Sequence, residues 1–130
     1  MFAFNRDVKS RDEIIFGSYE PELYVGGIRR FENLTPRQLD DLVLLRFIDP
    51  LEKHNLCPCA KDIWRFMEKY PGYVATGYAV SVLRDDYRVS LDGLQKDGYD
   101  TETELDEFYR QFREADNFGV GTKKMYCWFD

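Results

Sequence analysis

Cysteine and histidine are both scarce in this sequence. It contains three cysteines, Cys57, Cys59 and Cys127, and a single histidine, His54. An odd number of cysteines argues against a closed disulfide framework and fits a reducing compartment. One histidine leaves little material for a Ser–His or Cys–His pair, and no G-x-S-x-G motif surrounds a serine. We therefore assign no catalytic residue from the sequence.

Long apolar runs and glycine-rich phosphate loops are also missing. No stretch of 18 apolar residues occurs, so we expect no membrane-spanning helix and no membrane partner. The first 13 residues carry several charges and no apolar core of a signal peptide, which favours a cytoplasmic location. The string Gly119-Val-Gly121 precedes a predicted strand, so it indicates a turn and not a phosphate site. No cofactor is implied.

Aromatic residues, in contrast, are abundant. Phe, Tyr and Trp make up 16% of the 130 residues, and such rings dominate protein cores and interfaces. A chain of this length buries roughly two-thirds of the surface that its unfolded form exposes, so it needs no metal or disulfide to fold. Because no repeat, low-complexity tract or long linker interrupts it, residues 1–130 are predicted to form one domain.

Three helices are predicted from capping residues and apolar periodicity. The first begins after the N-cap Thr35, which has the spacing of a capping box, and runs to about residue 46. The second covers about residues 58–70, with an apolar stripe at helical spacing. The third follows a second capping box formed by Thr101 and Glu104, and it carries acidic residues in its first turns.

Strands are predicted from alternation over residues 73–82, 87–92 and 123–129. Within residues 1–33, the short apolar runs 13–16 and 23–25 indicate edge strands. The element order is therefore roughly (β)-α-α-β-β-α-β. This order predicts an α+β domain with a mainly antiparallel sheet of three to five strands and about three helices.

Negative charge is concentrated in one segment. The net charge is −6, and residues 97–116 alone hold eight acidic and two basic residues. The inner stripe of the third helix is predicted to be core, whereas Asp106, Glu107 and Glu114 lie outside it. Such a face contacts only water or attracts a basic partner. We hypothesise a non-catalytic protein-binding or regulatory module that uses this face, together with a partly exposed Trp64, to bind a protein with a basic surface.

Two other binding functions are open at this level. The acidic helix is also compatible with an inhibitor that mimics the charge of a nucleic acid. Two helices followed by a hairpin loosely resemble a winged helix-turn-helix, but the second helix is nearly neutral, with Lys61, Arg65 and Lys69 set against Asp62 and Glu68. Nucleic acid is therefore a disfavoured partner.

An enzyme or a zinc protein is the remaining class. His54, Cys57, Cys59 and Cys127 have the residue count of a Cys₃His zinc site. Only one residue separates Cys57 from Cys59, whereas structural zinc sites usually have two to four, so no metal site is assigned. The adjacent carboxylates of Asp85 and Asp86 fall in a predicted hairpin turn, where Asp is common for structural reasons.

Overall fold

A five-stranded sheet lies at the centre of the structure. The computed structural model describes residues 1–130. The strands follow the order β1-β2-β3-β5-β4, and each neighbouring pair is antiparallel. This arrangement confirms the predicted α+β fold. The elements are α1 (Val8–Phe16), β1 (Ile28–Leu34), α2 (Pro36–Leu44), α3 (Ala60–Lys69), β2 (Val74–Val80), β3 (Val89–Lys96), α4 (Glu102–Phe112), β4 (Asn117–Gly119) and β5 (Met125–Trp128).

The three predicted helices correspond to α2, α3 and α4. At the start of α2, the Thr35 side chain accepts a hydrogen bond from the Gln38 amide, and the Gln38 side chain accepts one from the Thr35 amide, so the capping box is complete. At the start of α4, the predicted capping box is only half formed. Thr101 accepts from the Glu104 amide, but the Glu104 carboxylate accepts from the amide of Asp100 instead of Thr101.

The edge strand predicted near the N-terminus exists as β1, but the two apolar runs proposed for it are not strands. Residues 13–16 are the last turn of α1, and residue 23 belongs to a single 3₁₀ turn, Pro21–Leu23. The Asp7 side chain caps α1 by accepting from the Ser10 amide, and Gly17 ends it with a left-handed φ of 84°. The cap at Asp7, the stop at Gly17 and the burial of Arg11 and Asp12 favour a helix here, although the apolar run at its end resembles a strand.

The sheet differs most from the prediction at a β-bulge in β3. Thr76 pairs with Gly93 and Gly77 pairs with Leu91, which leaves Asp92 as the extra residue. The bulge breaks the alternation after Leu91, so the predicted strand 87–92 stops short of the real end at Lys96. The short strand β4 lies where the sequence indicated only the end of the last helix.

The helices and the sheet share one aromatic-rich core. Phe66 of α3 contacts Tyr73 before β2 and both Phe108 and Phe112 of α4, with ring centroids 5.1–5.8 Å apart. Ala75 and Ala79 of β2 are buried in the same cluster, where their small side chains let the helical layer approach. The opposite side of β2 presents Thr76 and Tyr78. None of the helices has the length and apolar character needed to cross a membrane.

A candidate binding cleft on the open face of the sheet

A cleft lies on the face of the sheet that presents Thr76 and Tyr78. Its volume is about 600 Å³, within the usual range of ligand-binding sites. No helical residue lines it. Residues paired directly across strands project from the same face of a sheet, and two such rows form the cleft. They are Thr76–Gly93–Trp128–Asn117 and Val74–Gln95–Tyr126–Gly119.

Gly93 creates the depression in the first row. A Cβ atom at this position would lie 2.2 Å from the Cys127 carbonyl oxygen and 2.8 Å from Thr76 Oγ1. A side chain here would therefore force the strands apart and fill the space between Thr76 and Trp128. Glycine at this bulge keeps the middle of the sheet open, in keeping with the occurrence of β-bulges beside functional sites.

The extra residue of the bulge, Asp92, does not line the cleft itself but contacts two residues that do, Thr76 and Arg30. Its side chain is only 2% exposed, although no helix covers this face. One carboxylate oxygen accepts from Thr76 Oγ1 at 2.7 Å, and the other accepts from Arg30 Nη1 at 2.8 Å. The carboxylate also raises the pKa of Arg30 through this hydrogen bond, which keeps the guanidinium charged. This network fixes Arg30 across β2 while leaving its outer side in solvent.

Aromatic rings and a lysine form the rim. Trp128 is 37% exposed, and the Tyr126 ring lies across Gly119, where a Cβ atom would come within 2.3 Å of Tyr126 Cε1. Lys124, just before β5, is exposed and makes no ion pair. The side chains of Lys124, Tyr126 and Trp128 have no hydrogen-bond partner inside the protein. Their polar groups are therefore free to bind another molecule.

A second polar network adjoins the cleft on the same face. Tyr78 pairs with Arg30 of β1 and with Ser90 of β3. The Tyr78 hydroxyl accepts from Arg88 Nη2 at 3.0 Å and lies 3.1 Å from His54 Nδ1. Arg88 Nε lies 2.9 Å from the Glu52 carboxylate, whose pKa is raised chiefly by burial. These contacts hold the loop before α3 against the end of the sheet.

The acidic residues of the predicted partner-binding face have different surroundings. Asp106 is exposed on α4, and Glu114 is exposed just beyond the end of α4 at Phe112. Glu107 lies 3.2 Å from Lys69 Nζ of α3, and its pKa is lowered by the nearby Tyr70 hydroxyl first and by Lys69 second. Glu104 is buried and accepts from Lys96 Nζ at 2.8 Å and from Tyr73 at 2.7 Å. Part of the negative charge of this segment is therefore neutralised within the protein.

Trp64 belongs to another part of the surface. Its indole N–H donates to Asp40 of α2, so it marks the contact between α2 and α3. The acidic helix α4 contacts α3 through different side chains, including Phe66 and Lys69. The structure therefore gives no contact that joins Trp64 to Asp106 or Glu114 in one surface.

The four weak metal candidates do not form a ligand set. His54 contacts Tyr78, and Cys59 Sγ lies 3.3 Å from Asp62. Cys57 and Cys127 are buried in the core. Burial raises the pKa of both thiols, to about 12 for Cys127. No group of three or more His, Cys, Asp or Glu side chains is arranged to hold a metal ion.

The carboxylates considered for acid–base chemistry lie in the β2–β3 turn. Asp86 pairs with Arg84 at 2.7 Å and with Arg88 at 3.0 Å, and these partners lower its pKa. Asp85 is exposed beside it. Of the sequence candidates for chemistry, only Cys127 lines the cleft, and its raised pKa leaves it a neutral thiol.

Sequence reasoning missed the main residues of the cleft. No sequence motif singles out Arg30, and Tyr126 and Trp128 are ordinary members of the predicted strand 123–129. The signal was present in the last strand, where buried Met125 and Cys127 alternate with these two rings. An aromatic residue on the outward side of a strand indicates a surface available for binding. Comparison with known protein families, curated proteins and solved structures finds no match to this chain.

Proposed function

We propose that this chain is a non-catalytic, cytoplasmic protein-binding module whose main binding surface is the cleft on the open face of the sheet. One observation carries the proposal. The cleft combines two lining residues held in place by the buried Asp92, namely Arg30 and Thr76, with rim groups on Lys124, Tyr126 and Trp128 that have no partner in the protein.

The residue types at the cleft suit a protein partner. Trp, Tyr and Arg are enriched among the residues that dominate binding energy at interfaces, and all three line the cleft, as Trp128, Tyr126 and Arg30. The rings are held by strand pairing, so binding them costs little conformational entropy. Both signs of charge are present in the cleft, as in the polar rim of a specific interface.

A second candidate is the acidic face of α4, which would bind a protein with a basic surface. It is favoured because Asp106 and Glu102 are exposed and make no ion pair in the protein. A mimic of nucleic-acid charge is less well supported, since Lys69 and Lys96 neutralise neighbouring carboxylates. The two protein-binding surfaces share no residue, so variants separate them.

The test begins with affinity capture by the tagged full chain from cytoplasmic extract of the native cell. The captured protein is then purified and its dissociation constant measured against three variants. The cleft variant carries Trp128→Ala and Lys124→Glu, and the acidic-face variant carries Asp106→Lys and Glu114→Lys. Tyr109→Ala removes an exposed α4 ring, 50% exposed, as a matched control.

We expect the cleft variant to weaken binding about tenfold or more, because loss of a hot-spot Trp commonly costs at least 2 kcal/mol. The acidic-face variant and Tyr109→Ala should bind within about threefold of the unchanged protein. Thermal melting must show that all variants remain folded. If the acidic-face variant loses the partner while the cleft variant retains it, the assignment to the cleft is wrong and the α4 surface is the binding site.

A further inference from the structure

The chemistry left open in the cleft also indicates which group of the partner it binds. Asp92 contributes no accessible acceptor, because its two oxygens are occupied by Thr76 and Arg30 and its side chain is 2% exposed. The accessible cations are Lys124, which has no ion pair, and the outer part of Arg30. Arg30 is 43% exposed, and its Nη2 makes no hydrogen bond in the protein.

The neutral polar groups around these cations supply both donors and acceptors. The Trp128 indole can only donate, whereas the Tyr126 hydroxyl and the amides of Asn117 and Gln95 can donate or accept. The one accessible carboxylate is Glu32. It is 65% exposed and lies 3.7 Å from Arg30 Nε, a distance of loose association. Among the accessible charges, the cleft therefore presents two cationic side chains against one carboxylate.

Resting on the proposed function, we infer that the cleft receives an acidic side chain from an extended segment of the partner, with an apolar or aromatic neighbour packed on the rings. A carboxylate near Lys124 can accept from the ammonium group and from the Trp128 N–H, while Arg30 supplies further positive charge. Tyr126 and Trp128 provide flat apolar surface for the neighbouring residue. This preference is opposite in sign to that of the acidic α4 face.

Three blocked pentapeptides test the inference by NMR titration: acetyl-Ala-Phe-Glu-Phe-Ala-amide and its counterparts with Gln or Lys at the centre. The readouts are the Trp128 indole N–H and the backbone amides of Gly93 and Gln95. We expect the Glu peptide to shift these signals and to bind about fivefold more tightly than the Gln peptide, with the Lys peptide weakest. A gain of this size is typical of a favourable exposed ion pair.

Charge exchange at the rim gives a matched control. Lys124→Glu should abolish the preference for Glu and favour the Lys peptide. Lys123→Glu changes the net charge equally at an exposed position that does not line the cleft, and it should leave the preference for Glu intact.

Each other outcome has a definite consequence. Equal binding of the Glu and Gln peptides at the cleft overturns the acidic class but leaves the cleft as the binding surface. Absence of shifts with every peptide at millimolar concentration overturns the inference, and the capture experiment then decides the proposed function separately. Binding of a phosphoserine counterpart more than tenfold tighter than the Glu peptide replaces the carboxylate with a phosphate.

Discussion

The pair formed by Arg30 and Asp92 provides the sharpest test of how the cleft is built. Asp92→Asn keeps the shape of the side chain but removes its charge. The amide has one oxygen, so it no longer accepts from both Thr76 and Arg30 with the observed geometry. Arg30→Gln removes the partner from the other side. The two single variants and the double variant form a double-mutant cycle.

The expected coupling follows from the burial of the two groups. Hydrogen bonds to charged groups contribute about 1.5–3 kcal/mol when buried, whereas fully exposed pairs contribute about 0.2–1 kcal/mol. Asp92 is 2% exposed and Arg30 is 43% exposed. We therefore expect a coupling energy between these limits, at about 1–1.5 kcal/mol. When Asp92 is altered, Arg30 can turn to solvent and no buried charge is stranded. Arg30→Gln instead leaves the buried Asp92 carboxylate without its cationic partner, so this single variant should be the more destabilised of the two.

Urea denaturation of the four proteins measures this coupling as a difference in the free energy of unfolding. The slope of that energy with urea should stay constant across the cycle. Asp92→Asn alone should lower the melting temperature by about 4–6 °C for a chain of this size. A coupling below about 0.3 kcal/mol would refute the claim that this ion pair holds Arg30 in place at the cleft, even if both single variants are destabilised.

Three further predictions concern the core and the buried polar groups. Burial alone would raise the pKa of Glu104, but hydrogen bonds from Lys96 and its other donors hold this pKa below the ordinary 4.5. Glu104→Gln should therefore lower the free energy of unfolding by about 2–3 kcal/mol at pH 7. Urea denaturation should show that the difference in stability between the two proteins shrinks as pH falls below 4.5. Phe66→Ala should cost about 3–5 kcal/mol by the same measurement, because it empties the centre of the aromatic cluster. In the native protein at pH 8, a thiol-specific disulfide reagent should modify Cys59 only, and fast modification of either buried thiol would contradict the packing described.

Local signals explain why the helices could be predicted from the sequence. Thr35 and Gln38 form their capping box from neighbouring residues, and the same is true of the bond from the Glu104 amide to Thr101. Such contacts need no knowledge of the tertiary fold. The helix α1 was missed because its inner face contains the buried pair of Arg11 and Asp12, so its apolar periodicity is weak and the short run at its end resembles a strand.

The cleft depends on relations between strands, and these cannot be read from a single segment. The extra residue Asp92 becomes visible only when Thr76 is paired with Gly93. Arg30 reaches Asp92 across β2 from a position 62 residues earlier. The net charge of the α4 segment was similarly misleading as a guide to its surface, because Lys69 and Lys96 come from other elements and pair with its carboxylates.

The same non-local pairing makes the cleft a stronger candidate than the acidic helix. An exposed carboxylate such as Asp106 is well solvated, so its presence needs no partner to explain it. Asp92 differs from Asp106 because it is buried, and burying a charged group is unfavourable unless its hydrogen bonds are satisfied. Thr76 and Arg30 satisfy them, and Gly93 leaves the space above them open. The compensated charge of Asp92 thus holds Arg30 and Thr76 in place at the cleft, whereas the exposed carboxylate of Asp106 holds no other side chain.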